Sequence, residues 1–256
     1  HLMAEAERRA FADRAEFMGD PDFVAVPMQG LLDPAYLKAR MADFDPRRAT
    51  PSVSIRHGAP RREPTETTHF SIIDPEGNAI SVTTTLNSPY GSKVWVAGAG
   101  FLLNNEMDDF SAKPGVPNIF GLVGNEANAI APGKRMLSSM TPTIVERDGK
   151  VFLVLGTPGG ATITTSIFQV ILDVVEHGMT LQEAVDFKRF HHQWLPDEIA
   201  VEDSAFTAAT WDALRAMGHR VCVREPIGRV DAILRRGDGR LEGAADKRRD
   251  DAARGF

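Results

Sequence analysis

The sequence predicts a layered α+β fold, and three observations carry that prediction. Three β-hairpins can be read from alternating patterns closed by tight turns, at residues 67–86, 143–156 and 230–244. A pair of helices, 162–176 and 180–188, follows the second hairpin. Strand runs come in adjacent pairs and do not alternate singly with helices, which favours a sandwich over a βαβ sheet.

Taken in order, residues 4–17 read as a helix whose apolar contacts are Phe11, Ala15 and Phe17. The pattern is already under way at His1-Leu2-Met3, with no cap and no signal peptide, so the chain is expected to be a piece of a longer precursor. Asp20-Pro21-Asp22 breaks this helix. Asp33 as cap and Pro34 at the first helical position start another, through about residue 43. Residues 45–66 interleave Pro46, Pro51, Pro60 and Pro64 with arginines and small polar residues, and read as an exposed, poorly ordered connector.

At Thr67 the pattern switches to strand. Residues 67–73 alternate, Asp74-Pro75-Glu76-Gly77-Asn78 makes a turn, and 79–86 alternate again. From 104 to 140 periodicity is lost in a stretch rich in Asn, Asp, Gly and Pro, and a loop of that length in a compact domain is usually functional. The second hairpin runs 143–147 and 151–156 about Asp148-Gly149. Thr157-Pro158-Gly159-Gly160 then leads into the amphipathic helix 162–176, closed by Gly178. A helix over 207–217 and the third hairpin, turning at Gly237-Asp238-Gly239, complete the chain.

Composition narrows the function. Twenty-nine basic against 35 acidic side chains give a net charge of −6, which argues against nucleic acid or an anionic membrane surface as the main partner. No apolar run is long enough to span a bilayer. The single cysteine, Cys222, excludes an internal disulfide and any multi-cysteine metal site, and is expected to be a small buried hydrophobe. His191 and His192 are adjacent and point apart, so they read as surface or packing residues and no metal is expected.

What remains is a clustering of hydroxyls, glycines and acids. A threonine hydroxyl is a weak nucleophile unless a base stands beside it, and a chain cut before Thr67 would supply its own α-amine. Threonines are also simply common in strands. Gly159 and Gly160 before a helix expose backbone N–H groups suited to an oxyanion or a bound anion, or form a plain junction. The run 104–109 offers acids for an ammonium group and Ser138-Ser139 offer donors for a carboxylate; turn chemistry explains both equally.

Together these motifs resemble the γ-glutamyltransferases (γ-glutamyltranspeptidases), of the N-terminal-nucleophile hydrolase superfamily. The resemblance rests on Thr67-Thr68-His69-Phe70-Ser71, Thr83-Thr84-Thr85-Leu86-Asn87, the run 103–110, the run 134–143, Gly156-Thr157-Pro158-Gly159-Gly160, the run 190–196 and the closing Gly255-Phe256. It covers nearly the whole chain. It implies a four-layer αββα sandwich, incomplete without upstream chain, and a precursor cut between Glu66 and Thr67. Residues 1–66 would be the tail of a large subunit and 67–256 the small subunit. Thr67 would be the nucleophile, oriented by Thr85, with Gly159 and Gly160 as the oxyanion hole. Glu106, Asp109 and Asn87 would hold the substrate's α-amino group, and Ser138 and Ser139 its α-carboxylate, opposite charges for the two ends of a zwitterion.

The implied activity is γ-glutamyl transfer or hydrolysis on glutathione and related γ-glutamyl compounds, with water or amino-acid and peptide amines as acceptors. No cofactor is implied. The rest of the large subunit is the expected partner, and a periplasmic or secreted location is expected. Two departures stand out: the family's carboxylate-clamping arginine lies upstream of this chain, and Phe120 stands where some members have tyrosine. The rival readings are a cephalosporin or glutaryl acylase of the same superfamily, for which Asp109 has no use, and an inactive fragment with a binding or structural role.

Overall fold

The computed structural model describes residues 1–55 and 67–255. The expected cut at Glu66, connector residues 56–66 and the closing Phe256 lie outside them. In chain order the elements are α1 (Leu2–Phe17), α2 (Met28–Leu32), α3 (Pro34–Arg40), β1 (Thr68–Ile73), β2 (Ala79–Thr84), β3 (Trp95–Val96) and β4 (Phe101–Leu102). They continue with β5 (Thr143–Arg147), β6 (Lys150–Gly156), α4 (Thr162–Val175), α5 (Leu181–Asp186), β7 (Phe190–His191) and β8 (Ile199–Glu202). Last come α6 (Ala208–Ala216), β9 (Val221–Arg224), β10 (Asp231–Arg235) and β11 (Leu241–Ala244).

These elements gather into two compact units. The first combines the described residues of 1–64 with 106–138 and 191–224; the second combines those of 65–105 with 139–190 and 225–256.

In the first unit, α1 buries Ala4, Phe11, Ala12 and Ala15 together with four charged side chains, Glu5, Glu7, Arg8 and Arg9. Buried charges need partners; Glu5, Arg8 and Arg9 have ionic ones, while burial pushes the Glu7 carboxyl well up. Arg9 Nη1 donates to Glu5 Oε2 at 2.6 Å, Arg8 pairs with Asp197, and Glu7 Oε2 accepts the backbone N–H of His192 at 2.9 Å. Asp33 caps α3 as expected, accepting from the N–H groups of Ala35 and Tyr36, but the helix ends at Arg40, short of the predicted residue 43.

Within the connector, residues 45–48, 51, 53 and 54 are exposed as expected, but Ser52 and Ile55 are packed inside. Ser52 is fully buried and Ile55 nearly so, and the indole Nε1 of Trp194 donates to both of their carbonyls, at 3.0 and 2.7 Å. Prolines removed the local periodicity, while long-range acceptors for a buried indole supplied the order. A second difference is the parallel pair β8–β9, Ile199 opposite Val221, joined through α6 as a βαβ crossover. Cys222, on β9, is half-buried rather than buried. His191 and His192 are both buried, bonded to Gln193 and to the N–H of Trp194.

The second unit carries the three expected hairpins. Its main sheet runs β11-β10-β6-β5, all antiparallel. The β5–β6 turn places Asp148 and Gly149 both at positive φ, as a two-residue hairpin loop demands. Both edges of β6 are taken, so the β1–β2 ribbon, whose Ser81 hydroxyl donates to the Leu155 carbonyl at 3.0 Å, lies over one face of the sheet. On the other face Leu153 and Leu155 pack with Ile167 and Val170 of α4 and Leu181 and Val185 of α5. Each such burial contributes about 1.5–3 kcal/mol. Helices, sheet and ribbon are three of the four expected layers. The ribbon's outer side leaves Phe70, Ile72 and Ile80 about half exposed, the uncovered apolar face expected of an incomplete sandwich. Short β3 and β4, which no pattern signalled, pair in a separate ribbon.

Candidate active site

The hairpin register builds the centre of the site. Thr68 pairs with Thr84 at the open end of the ribbon, so the next step outward sets Thr67 opposite Thr85. The Thr67 hydroxyl donates to Thr85 Oγ1 at 3.4 Å. Thr85 Oγ1 in turn accepts the backbone N–H of Asn87 at 2.9 Å. Asn87 is buried at φ +76°, a conformation asparagine tolerates better than most side chains, and its Nδ2 donates to the Asn105 carbonyl at 3.2 Å. Asn105 and Ser88 exchange two further bonds at 3.0 Å. The residues after the ribbon are thus locked in place.

Gly159 and Gly160 are buried between β6 and α4, at φ +146° and +54°. At 159 only glycine fits: a β-carbon there would lie 2.6 Å from Thr162 Oγ1, which itself donates to the Gly159 carbonyl at 2.8 Å. Thr67 and Gly159 line one cavity of about 190 Å³, with Glu225, Arg229, Arg248 and Arg249. Arg229 was missed in the sequence and no motif marks it. Its Nη2 donates to the Thr67 carbonyl at 3.2 Å, and its own N–H donates to Thr157 Oγ1 at 2.6 Å. The Thr157 hydroxyl then donates to the Pro158 carbonyl at 2.7 Å, so one arginine ties the Thr67 backbone to the glycine loop.

The remaining predicted residues divide between the units. Ser139 falls in the second, its carbonyl accepting the Thr141 hydroxyl at 3.0 Å. Glu106 and Asp109 fall in the first, on one 3₁₀ turn, as does exposed Ser138. Burial pushes the Glu106 carboxyl up. Asp109 lines a small cavity with Arg14, and its carboxyl is pushed up to about 7, first by burial and then by Glu106 and Asp108, against the opposing pull of Arg14. Phe120 is buried, its carbonyl accepting from Gln193 Nε2 at 3.1 Å.

Among the described residues one group has metal-ligand spacing, His1, Glu5 and His219. Arg8 Nη2 stands 3.3 Å from Glu5 and 3.5 Å from His219, so a cation already balances that carboxylate. It is part of an ion-pair network.

A threonine hydroxyl at the open end of a strand ribbon, facing a cavity that also holds a glycine loop, is suited to attack on a carbonyl. The fold is that of the N-terminal-nucleophile hydrolases. Within that class, the gamma-glutamyltranspeptidase family profile matches residues 1–256, and the chain belongs to that family. It is 50% identical to a glutathione hydrolase proenzyme of Escherichia coli over the whole chain, and 54% identical to one of Pseudomonas aeruginosa over 97% of it. It spans 44% of the length of each. The solved gamma-glutamyltranspeptidase of Pseudomonas nitroreducens complexed with L-DON shares 54% identity at a TM-score of 0.71, over 74% of this chain and 99% of that one. A more distant relative, Acylase ACY 1 proenzyme of a Pseudomonas strain, is 38% identical over 98% of this chain and 42% of its own length.

Proposed function

We propose that this chain carries the nucleophile of a γ-glutamyl acyl-transfer enzyme, with residues 1–66 the end of a large subunit and 67–256 the small subunit. The observation that carries the reading is the hydroxyl pair Thr67–Thr85 beside the glycine loop, in a family whose relatives are glutathione hydrolase proenzymes. A segment starting at Thr67 is 190 of 256 residues, or 74% of the chain. That is the share which the separate P. nitroreducens chain matches almost end to end, in support of a cut at that point.

In this mechanism the freed α-amine of Thr67 takes the proton of its own hydroxyl as Oγ1 attacks the γ-carbonyl of glutathione or a related compound. Thr85 orients the hydroxyl. The N–H groups of Gly159 and Gly160 receive the negative charge that develops on the carbonyl oxygen. The C–N bond breaks, the amine leaves with the proton, and a γ-glutamyl ester remains on Thr67. Water or an amino-acid or peptide amine then accepts the acyl group and restores the hydroxyl. Asp109, Glu106 and Asn87 hold the α-ammonium group, and Ser138 and Ser139 the α-carboxylate, assisted by a cation from upstream chain, the expected partner. That partner would also cover the apolar face of the ribbon. A periplasmic or secreted location is part of this reading; among the described residues no helix is long and apolar enough to cross a membrane.

Release of p-nitroaniline from γ-glutamyl-p-nitroanilide by the full-length precursor tests the reading. Its loss in Asp109→Ala, with self-cleavage intact, supports glutamyl recognition. Unchanged kinetics in that variant would favour the acylase alternative.

A further inference from the structure

Two stretches with no strand or α-helix of their own carry Asp109 and Ser138, which the reading above assigns to the two charged ends of the glutamyl group. Asp109 closes the 3₁₀ turn Glu106–Asp109, and Ser138 follows the irregular run 131–137, in the same unit. Neither stretch belongs to one of the sheets, so the backbone polar groups of each need partners elsewhere. One side chain serves both.

That side chain is Asn128, buried at the end of the 3₁₀ turn Glu126–Asn128. Its Nδ2 donates to the Asp109 carbonyl at 2.7 Å, and its Oδ1 accepts the backbone N–H of Leu137, the neighbour of Ser138, at 3.0 Å. The partners fix the orientation of the amide, since a carbonyl needs a donor and an N–H needs an acceptor. The Asn128 carbonyl also accepts the N–H of Ser111, two residues past Asp109, at 2.9 Å. A planar amide holds its donor and its acceptor at a fixed separation, so it sets the spacing of the two backbones it joins. Asp20 fastens the second stretch further upstream, its Oδ2 accepting the Arg135 N–H at 2.8 Å.

We propose that Asn128 is a positioning residue for glutamyl recognition, holding Asp109 and Ser138 at the spacing that the α-ammonium and α-carboxylate groups require. The inference rests on the γ-glutamyl reading above. Asn128 acts only through the two backbones. A grip of fixed span also reads the configuration of the α-carbon. In the D-isomer the ammonium and the hydrogen on that carbon change places, so a carboxylate seated on Ser138 leaves the ammonium turned away from Asp109. Loosening the span therefore weakens binding and relaxes the choice between isomers together.

The test uses the full-length precursor, Asn128→Ala, the milder Asn128→Ser and a control, Asn125→Ala. Asn125 precedes the same 3₁₀ turn, but its Nδ2 donates elsewhere, to Glu16 Oε2 at 2.8 Å. The substrates are γ-L-glutamyl-p-nitroanilide and its γ-D-glutamyl isomer. Asn128→Ala is expected to raise KM for the L-anilide about tenfold, to change kcat less than about twofold, and to lower the L-over-D ratio of kcat/KM several-fold. Asn128→Ser, whose shorter hydroxyl cannot span both partners, should move KM and the ratio the same way, and it carries the comparison if Asn128→Ala fails to self-cleave. Asn125→Ala should move neither. A merely structural loss removes active enzyme, lowering kcat for both isomers alike and leaving KM and the ratio untouched. That result in the Asn128 variants, or an equal rise of KM in Asn125→Ala, would overturn the proposal while leaving the γ-glutamyl reading intact. A parent enzyme that releases no anilide from the L-isomer would overturn both.

Discussion

Gly156 faces His69 with no room for a side chain. A β-carbon at 156 would lie 2.7 Å from Nε2 of the imidazole and closer still to Cε1 and Nδ1. The ring cannot step aside, because its nitrogens are bonded to the hydroxyls of Thr83 at 2.8 Å and Ser71 at 2.9 Å. This contact sets the spacing between the β1–β2 ribbon and the sheet, and hence the position of Thr67, two residues before His69. Gly156→Ala is expected to lower stability by about 2 kcal/mol, read as a lower denaturant midpoint. Combined with His69→Ala, the loss should shrink, since the ring is gone.

The nucleophile prediction concerns processing. Thr67→Ala should give an uncut, inactive precursor, while Thr67→Ser retains some of both reactions because a hydroxyl persists. The small fragment of the parent should begin Thr-Thr-His-Phe on amino-terminal sequencing; any other start sinks the assignment. Thr85→Ala removes the hydroxyl that accepts from Thr67 Oγ1 and, on the proposed mechanism, should slow turnover about a hundredfold.

Asp109 gives a pH prediction. An ammonium group is held by the carboxylate form, and with the carboxyl at about 7 that form is lost as pH falls through neutrality. KM for γ-glutamyl substrates should therefore rise below pH 7, while kcat changes less. Asp109→Asn should raise KM above pH 7, where the wild-type carboxyl is ionised, converge with the wild type at low pH, and so flatten the profile. A wild-type KM that is constant from pH 6 to about 8 would contradict the assigned role.

The buried pair Arg189–Asp246, 2.9 Å apart, gives a stability prediction. Burial pushes the Asp246 carboxyl up, but Arg189, Arg248 and the N–H groups of Val230 and Arg248 outweigh it and hold the carboxyl below its ordinary value. A depressed carboxyl stabilises the fold above the unfolded-state value, and that contribution disappears as pH falls into the acid range. Asp246→Ala leaves Arg189 buried without its partner and should cost about 3–5 kcal/mol, measured by denaturation at neutral pH.

Much of the second unit was legible because its signals are local. Alternation with a turn at 148–149 marked the β5–β6 hairpin, whereas Thr85 was linked to Thr67 only by the family resemblance, and the strand register is what sets the two side by side. The helix predicted over 162–176 ends one residue earlier. What was hidden depends on distant partners. Ser52 looked like connector because its order comes from Trp194, 142 residues on. Arg229 lies 162 residues from Thr67 and carries no motif; only the fold brings its guanidinium to that carbonyl. The parallel pairing of β8 with β9 was missed for a related reason, since two short apolar runs flanking a helix do not declare which strands they will join.

The first unit draws on chain from both sides of residues 56–66, with α1 on one side and the 191–224 stretch on the other. A break in that interval would turn a single folded body into a two-component complex without moving an atom of its interior. The contacts of Glu7 with His192, of Arg8 with Asp197 and of Trp194 with Ser52 and Ile55 would change from intramolecular to intermolecular. Separating the fragments would then require unfolding the body they share. Their affinity and its stability would be the same quantity, and dilution would act on it as a denaturant does.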